Sequence, residues 1–119
     1  MEDKDKKGLD KSRIERYIEK LEHLKKLLDK LYDWTDNLEI NEFLNLNLKE
    51  QFGIYHASQI IIEIITDIIA MNVKDLKIKP KDDYSNTECL EDQGLITNDL
   101  ALSLKKLNGL RNILIHDYN

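Results

Sequence analysis

One cysteine, one proline and four glycines are all that 119 residues contain of three structure-defining types. With Cys89 alone, no internal disulfide can form, which fits a reducing compartment. Scarce glycine and proline argue against an all-β fold, which needs turn residues at short intervals. Positive charge is also in deficit, since 18 Lys and Arg stand against 23 Asp and Glu for a net charge of −5. A broad basic face of the kind that grips phosphates is therefore not expected, and any contact with nucleic acid has to be local. The histidines, His23, His56 and His116, are scattered without ligand spacing, so no metal site and no cofactor are expected. The longest apolar run, residues 60–71, is broken by Glu63 and Asp67 and falls short of a membrane span. Residues 1–10 are charged and have no apolar centre, so they do not read as a signal peptide. The expected location is the cytoplasm, with no membrane partner.

What the sequence has in quantity is helical periodicity. Residues 1–10 read as a frayed tail and 11–119 as a single helical domain. Ile14, Tyr17, Ile18, Leu21, Leu24, Leu28 and Leu31 recur at steps of three and four, which predicts a helix over 12–34. A short turn of helix is expected at 40–44, and a long helix over 48–72. The latter is rich in isoleucine, and a buried strand competes with it. Its length and the four-residue spacing of Gln59, Glu63 and Asp67 decide for helix. Residues 77–86, around Pro80, read as the main loop. A short helix over 87–93 is ended by Gly94. A last helix, capped by Thr97 or Asn98, runs through Leu100, Leu104, Leu107, Leu110 and Leu114. The fold class is all-α, an antiparallel up-and-down helical bundle.

The last helix carries an anomaly. On a helical wheel Arg111 falls within about 40° of Leu100, Leu104, Leu107 and Ile115, inside the apolar stripe. An arginine there is costly unless it is paired or faces a wet cleft. Glu63 is the candidate partner. Asn108, Asn112 and His116 form an adjoining ridge, and Tyr118 returns to the Arg111 side. Taken alone, this pattern also allows a plain structural ion pair and a surface histidine.

Arg111-Asn112-x3-His116-x-Tyr118 resembles the Arg-x4-His-x-Tyr motif of HepT-type proteins in the HEPN superfamily. Asp83-Tyr84-Ser85, the following short helix and Gly94-Leu95-Ile96 are similar to the segment that precedes the motif in that family. The Gln59, Glu63, Asp67 ridge fits as well. Two departures stand out. Tyr84 precedes Ser85, the reverse of the family order. The sequence ends at Asn119, where family members continue into a further helical segment.

The resemblance implies a HEPN-like dimeric bundle acting as a metal-independent endoribonuclease, with the two motifs meeting across a homodimer interface. It also implies a toxin whose antitoxin is a minimal nucleotidyltransferase that silences it by placing AMP on the motif tyrosine, here Tyr118. RNA, with tRNA among the candidates, is the implied substrate. Cleavage by attack of the 2′-hydroxyl needs a base, an acid and a positive group for the developing charge. Histidine is the side chain whose ordinary titration lies nearest neutral pH, so His116 takes the acid–base role. Each chain offers one such histidine, and a dimer supplies two. Arg111 is expected to clamp the phosphate, and Asn112 to orient His116 or a phosphate oxygen. Glu63 and Asn108 are expected to support them. The competing expectation is a non-catalytic subunit that presents substrate to a nucleotidyltransferase.

Overall fold

The computed structural model describes residues 10–118, with side chains as far as His116. Five helices follow one another: α1 (Lys11–Thr35), α2 (Ile40–Leu44), α3 (Leu48–Asp75), α4 (Asp83–Asp92) and α5 (Asn98–Tyr118). No strand occurs among the described residues. The expected tail over 1–10 lies outside the described residues except for Asp10.

Each boundary has a local cause. The Asp10 carboxylate accepts from the Arg13 N–H at 2.8 Å and opens α1. Asn47 accepts from the Glu50 N–H at 2.8 Å and donates to the Glu50 carboxylate, a reciprocal cap that opens α3. The hydroxyl of Thr97 accepts from the Leu100 N–H at 3.1 Å. Gly94, at φ 73°, lets the chain turn back so that the Leu95 N–H reaches the Leu90 carbonyl.

The fourth helix differs from the sequence expectation. It begins at Asp83 rather than Thr87, and the loop shrinks accordingly. Asp82, Ser85 and Asn86 read as loop residues, yet they are the capping apparatus. Asp82 accepts from the Ser85 N–H at 2.7 Å. The buried Asn86 amide bonds to both the N–H and the carbonyl of Lys81. Polar residues that break helices in mid-run are favoured at their first turn.

α3 is the hub. α1, α4 and α5 all pack on it, and α4 also packs on α5. Ion pairs fix the directions: Arg13 meets Asp75 and Lys20 meets Asp67, so α1 runs antiparallel to α3. α3 is long and apolar enough to cross a membrane by length and composition alone. Here those isoleucines are what the other helices cover, and Ile61, Ile62, Ile64 and Ile69 are buried.

Ile69, Val73 and Leu90 form the core cluster, with Ile65, Ile78, Cys89, Ile96 and Leu104 packed around it. Leu90 is 2% exposed. Leu90→Ala is expected to cost about 2–5 kcal/mol, the range for an unfilled core site, read as a drop in melting temperature.

α1 half-buries Leu24, Leu27 and Leu31 and fully buries no residue, and a polar clasp ties its start to α3. Arg13 Nε donates to both Asp75 oxygens, at 2.9 and 3.1 Å, and Tyr17 donates its hydroxyl to the same carboxylate. Burial, and then the Asp75 carboxylate, push the Tyr17 phenol above its ordinary value. An unfolded tyrosine loses its proton near pH ~10, and the folded one later. Between those points the folded state holds more protons, so stability falls as pH rises above ~10. Alkaline melting curves are expected to show that slope, and Tyr17→Phe to flatten it.

The molecule is elongated, 58 × 26 × 25 Å with a radius of gyration of 17.0 Å. A compact chain of this length has a radius near ~13–14 Å. The excess reflects the length of α1 and α3, and the elongated shape leaves Ile18, Leu21, Leu102 and Ile113 exposed.

Candidate active site

α5 presents two different faces near its end. Arg111 turns inward, and its Nη2 donates to Glu63 Oε1 on α3 at 3.2 Å. Gln59, one turn earlier on α3, donates to the same oxygen at 3.4 Å. The pair is only partly covered, with side chains 28% and 39% exposed. The arginine expected in the apolar stripe is thus there, beside the expected carboxylate.

The expected ridge of Asn108, Asn112 and His116 divides. Asn108 points into the seam between α5 and its neighbours, and its amide oxygen and nitrogen are both buried without a hydrogen-bond partner. Arg111 Nε shares that condition. Buried polar groups are ordinarily paired, so these three atoms within one turn of α5 make it a polar spot in an otherwise apolar seam. Asn112 and His116 are exposed. His116 lies five residues beyond Arg111, which sets the two about 140° apart around the axis. Among the described residues no hydrogen bond joins Arg111, Asn112 and His116 to one another. The Tyr118 side chain, the expected modification site, lies outside the described residues.

His116 has distinctive neighbours on the outer face of α5. Gly109 and Ile113 lie beside it on the wheel, with Leu102 about four turns back. Ile113 is 55% exposed, and a Cβ built on Gly109 meets nothing. Exposed Ile113 and bare Gly109 thus lie open beside the imidazole, on a face that also carries Lys106 and Asn112.

Other polar groups are engaged or placed elsewhere. Lys105 is occupied on the Tyr84 ring, its Nζ 4.4 Å from the centroid. His56 is exposed on α3 rather than packed. The clasp of Arg13, Tyr17 and Asp75 was not legible, because nothing in the sequence aligns residues some 60 positions apart. Among the described residues no three or more His, Cys, Asp or Glu gather where they could hold a metal ion.

Residues 13–119 match the family described as "Ribonuclease HepT-like". The chain belongs to the HepT-like family of HEPN ribonucleases. A protein of Archaeoglobus fulgidus named "Putative RNase" is 43% identical over 107 residues, covering 90% of this chain and 74% of its own. A second protein of that organism and name is 33% identical over 110 residues, with the same coverage. A "Putative RNase" of Methanocaldococcus jannaschii is 40% identical over 73 residues, 60% of this chain and 84% of its own. No solved structure matches the chain. The matched HepT-like region takes in α1 from Arg13 onward and the whole of α5, so the Arg111–Glu63 pair and His116 both lie inside it.

Membership gives the ion pair a sharper meaning. Glu63 holds Arg111 in place without sealing it from water. Glu63→Gln is expected to change stability by less than about 1 kcal/mol, as for other half-exposed pairs. It is expected to lower kcat for RNA cleavage severalfold, because the guanidinium loses its anchor, with KM little changed. Thermal melts beside steady-state kinetics check this. Unchanged kcat and KM would make the pair purely structural.

Proposed function

We propose that this HepT-like chain is a metal-independent endoribonuclease that cuts RNA at a site completed by two copies of itself. His116 is the acid–base group, Arg111 the phosphate clamp and Asn112 the orienting amide. The observation that carries this reading is the open surface beside His116 on the outer face of α5, where Ile113 is exposed and Gly109 leaves room for a close approach. A second copy that crosses α5 near Ile113 brings two imidazoles to one place, which supplies both the base and the acid. It also covers surface that a solitary chain leaves wet.

In this reading the 2′-hydroxyl gives its proton to one His116 and attacks the adjacent phosphorus. The other His116 protonates the departing 5′-oxygen. Arg111 stabilises the charge that builds on the non-bridging oxygens. The partner is a minimal nucleotidyltransferase acting as antitoxin. AMP on Tyr118 sets a phosphate near Arg111 and competes with RNA there. The location is cytoplasmic. The test is cleavage of several RNAs, tRNA included, by the purified chain in EDTA, beside His116→Ala and Arg111→Ala. Cleavage by the parent and its loss in both variants support the reading. An inert parent chain would favour a non-catalytic subunit.

A further inference from the structure

The chain carries five more acidic than basic residues, yet its cations are not evenly spread. Four of them line one cleft of about 290 Å³ between α1 and α3: Arg13, Arg16, Lys20 and Lys74. Asp67 also borders it, with Ala70 among the residues between the cations. Arg13 is committed to Asp75, and Lys20 reaches Asp67 at 3.3 Å. Arg16 and Lys74 are exposed and make no ion pair among the described residues. The cleft therefore holds unspent positive charge in a protein that is acidic as a whole.

Its position relative to Arg111 is what gives it meaning. Glu63, Asp67, Ala70 and Lys74 recur at steps of four, three and four, which sets them on one stripe of α3. Arg111 of α5 bonds to Glu63, and Lys20 of α1 bonds to Asp67 one turn on. The stripe is thus the floor of the seam between α1 and α5, two helices that each pack on α3 and have no extensive contact with each other. From Glu63 to Lys74 the seam runs ~16 Å along the helix axis, the span of a few nucleotides. Small Ala70 keeps its floor low. Lys77 and Lys79, both exposed, follow directly beyond its end.

We propose that this seam is a track for the phosphate backbone of single-stranded RNA, with Arg16 and Lys74 binding phosphates a few nucleotides from the one held at Arg111. The inference rests on the ribonuclease reading and adds the path its substrate takes. It also accounts for how an acidic protein holds a polyanion: through a short local run of cations, not a broad face. Recognition by phosphate contact is indifferent to base identity. The track sets affinity and register, and leaves sequence preference to other groups.

The test uses the full chain carrying His116→Ala, which holds RNA without cutting it, and a fluorescein-labelled oligouridylate read by anisotropy. Arg16→Ala with Lys74→Ala is expected to weaken binding about tenfold. The dependence of log affinity on log salt is expected to become shallower by about 1.4, roughly 0.7 for each phosphate that a single strand no longer has neutralised. In the cutting chain the same pair is expected to raise KM about tenfold and leave kcat within about twofold. Lys26→Ala with Lys30→Ala, exposed cations of α1 outside the cleft, is the charge-matched control and is expected to change neither quantity. A parent chain that cuts RNA while Arg16→Ala with Lys74→Ala keeps its KM and salt slope would overturn the track and leave the nuclease standing. Equal losses in the control pair would overturn it too, by reducing the effect to net charge. A parent that neither binds nor cuts RNA removes both readings together.

Discussion

His116→Ala is expected to reduce RNA cleavage by about 10²–10⁴-fold, the range for losing a positioned acid–base group. The larger figure is the better expectation, because each site draws on two imidazoles and the substitution removes both. His116 is exposed and has no hydrogen-bond partner among the described residues, so its removal leaves the fold alone. Melting temperature and helix content are expected to match the parent. A mixing experiment then tests whether one Arg111 and one His116, carried on opposite chains, make a complete site. Arg111→Ala and His116→Ala chains, unfolded and refolded together, form mixed dimers. If one Arg111 and one His116 from opposite chains suffice, cleavage returns in the mixture. If both imidazoles are needed, as base and acid, it stays absent. Full activity in His116→Ala alone would remove this residue from the chemistry and the proposed mechanism with it.

Ile113→Glu is expected to have the second large effect, on assembly. Ile113 is more than half exposed in the single chain, so a carboxylate there costs the isolated fold almost nothing. Packed against a second α5, the same carboxylate would lose water, and burying a charge in such a contact is disfavoured. The dimer dissociation constant is expected to rise by at least about a hundredfold, equivalent to roughly 2.7 kcal/mol. Sedimentation is then expected to give a monomer at a concentration where the parent is expected to be a dimer. Cleavage falls with it and recovers as protein concentration is raised, which a chemical defect would not do. Gly109→Leu is expected to act in the same direction, since it fills space that is open in one chain and needed by two. If Leu21→Glu on α1 broke the dimer and Ile113→Glu did not, the interface would lie on α1 and His116 would face solvent alone.

Much of the fold was legible because local rules and long-range packing agree in this chain. The repeat of apolar residues gave α1 and α3 to within about three residues. The break at Asp36 and Asn37 coincides with a backbone position at φ 61°, which asparagine tolerates better than most residues. The failure at α4 is instructive. Asp82, Asp83, Ser85 and Asn86 carry the composition of a loop, and only the hydrogen bonds of Asp82 and Asn86 turn it into a helix start.

The site was legible in part. An arginine amid leucines is a local anomaly, and a carboxylate on the polar ridge of α3 was its natural partner. The separation of Asn108 from Asn112 and His116 was not legible. They share a ridge on the wheel, but how far α5 is covered at each turn depends on where its neighbours end.

By itself, then, the sequence determined the helices, most of their ends and the odd placement of Arg111, because those depend on residues within a few positions of each other. The tertiary structure alone decided what each helix face meets. Glu63 receives Arg111, Asp67 receives Lys20, and from Asp67 to Lys74 the helix borders a cleft lined by cations from distant parts of the chain. The physical reason is range. Periodicity records which side of a helix is apolar. It carries no information on which other helix, or which other copy, will cover that side, since burying apolar surface is favourable whatever the partner.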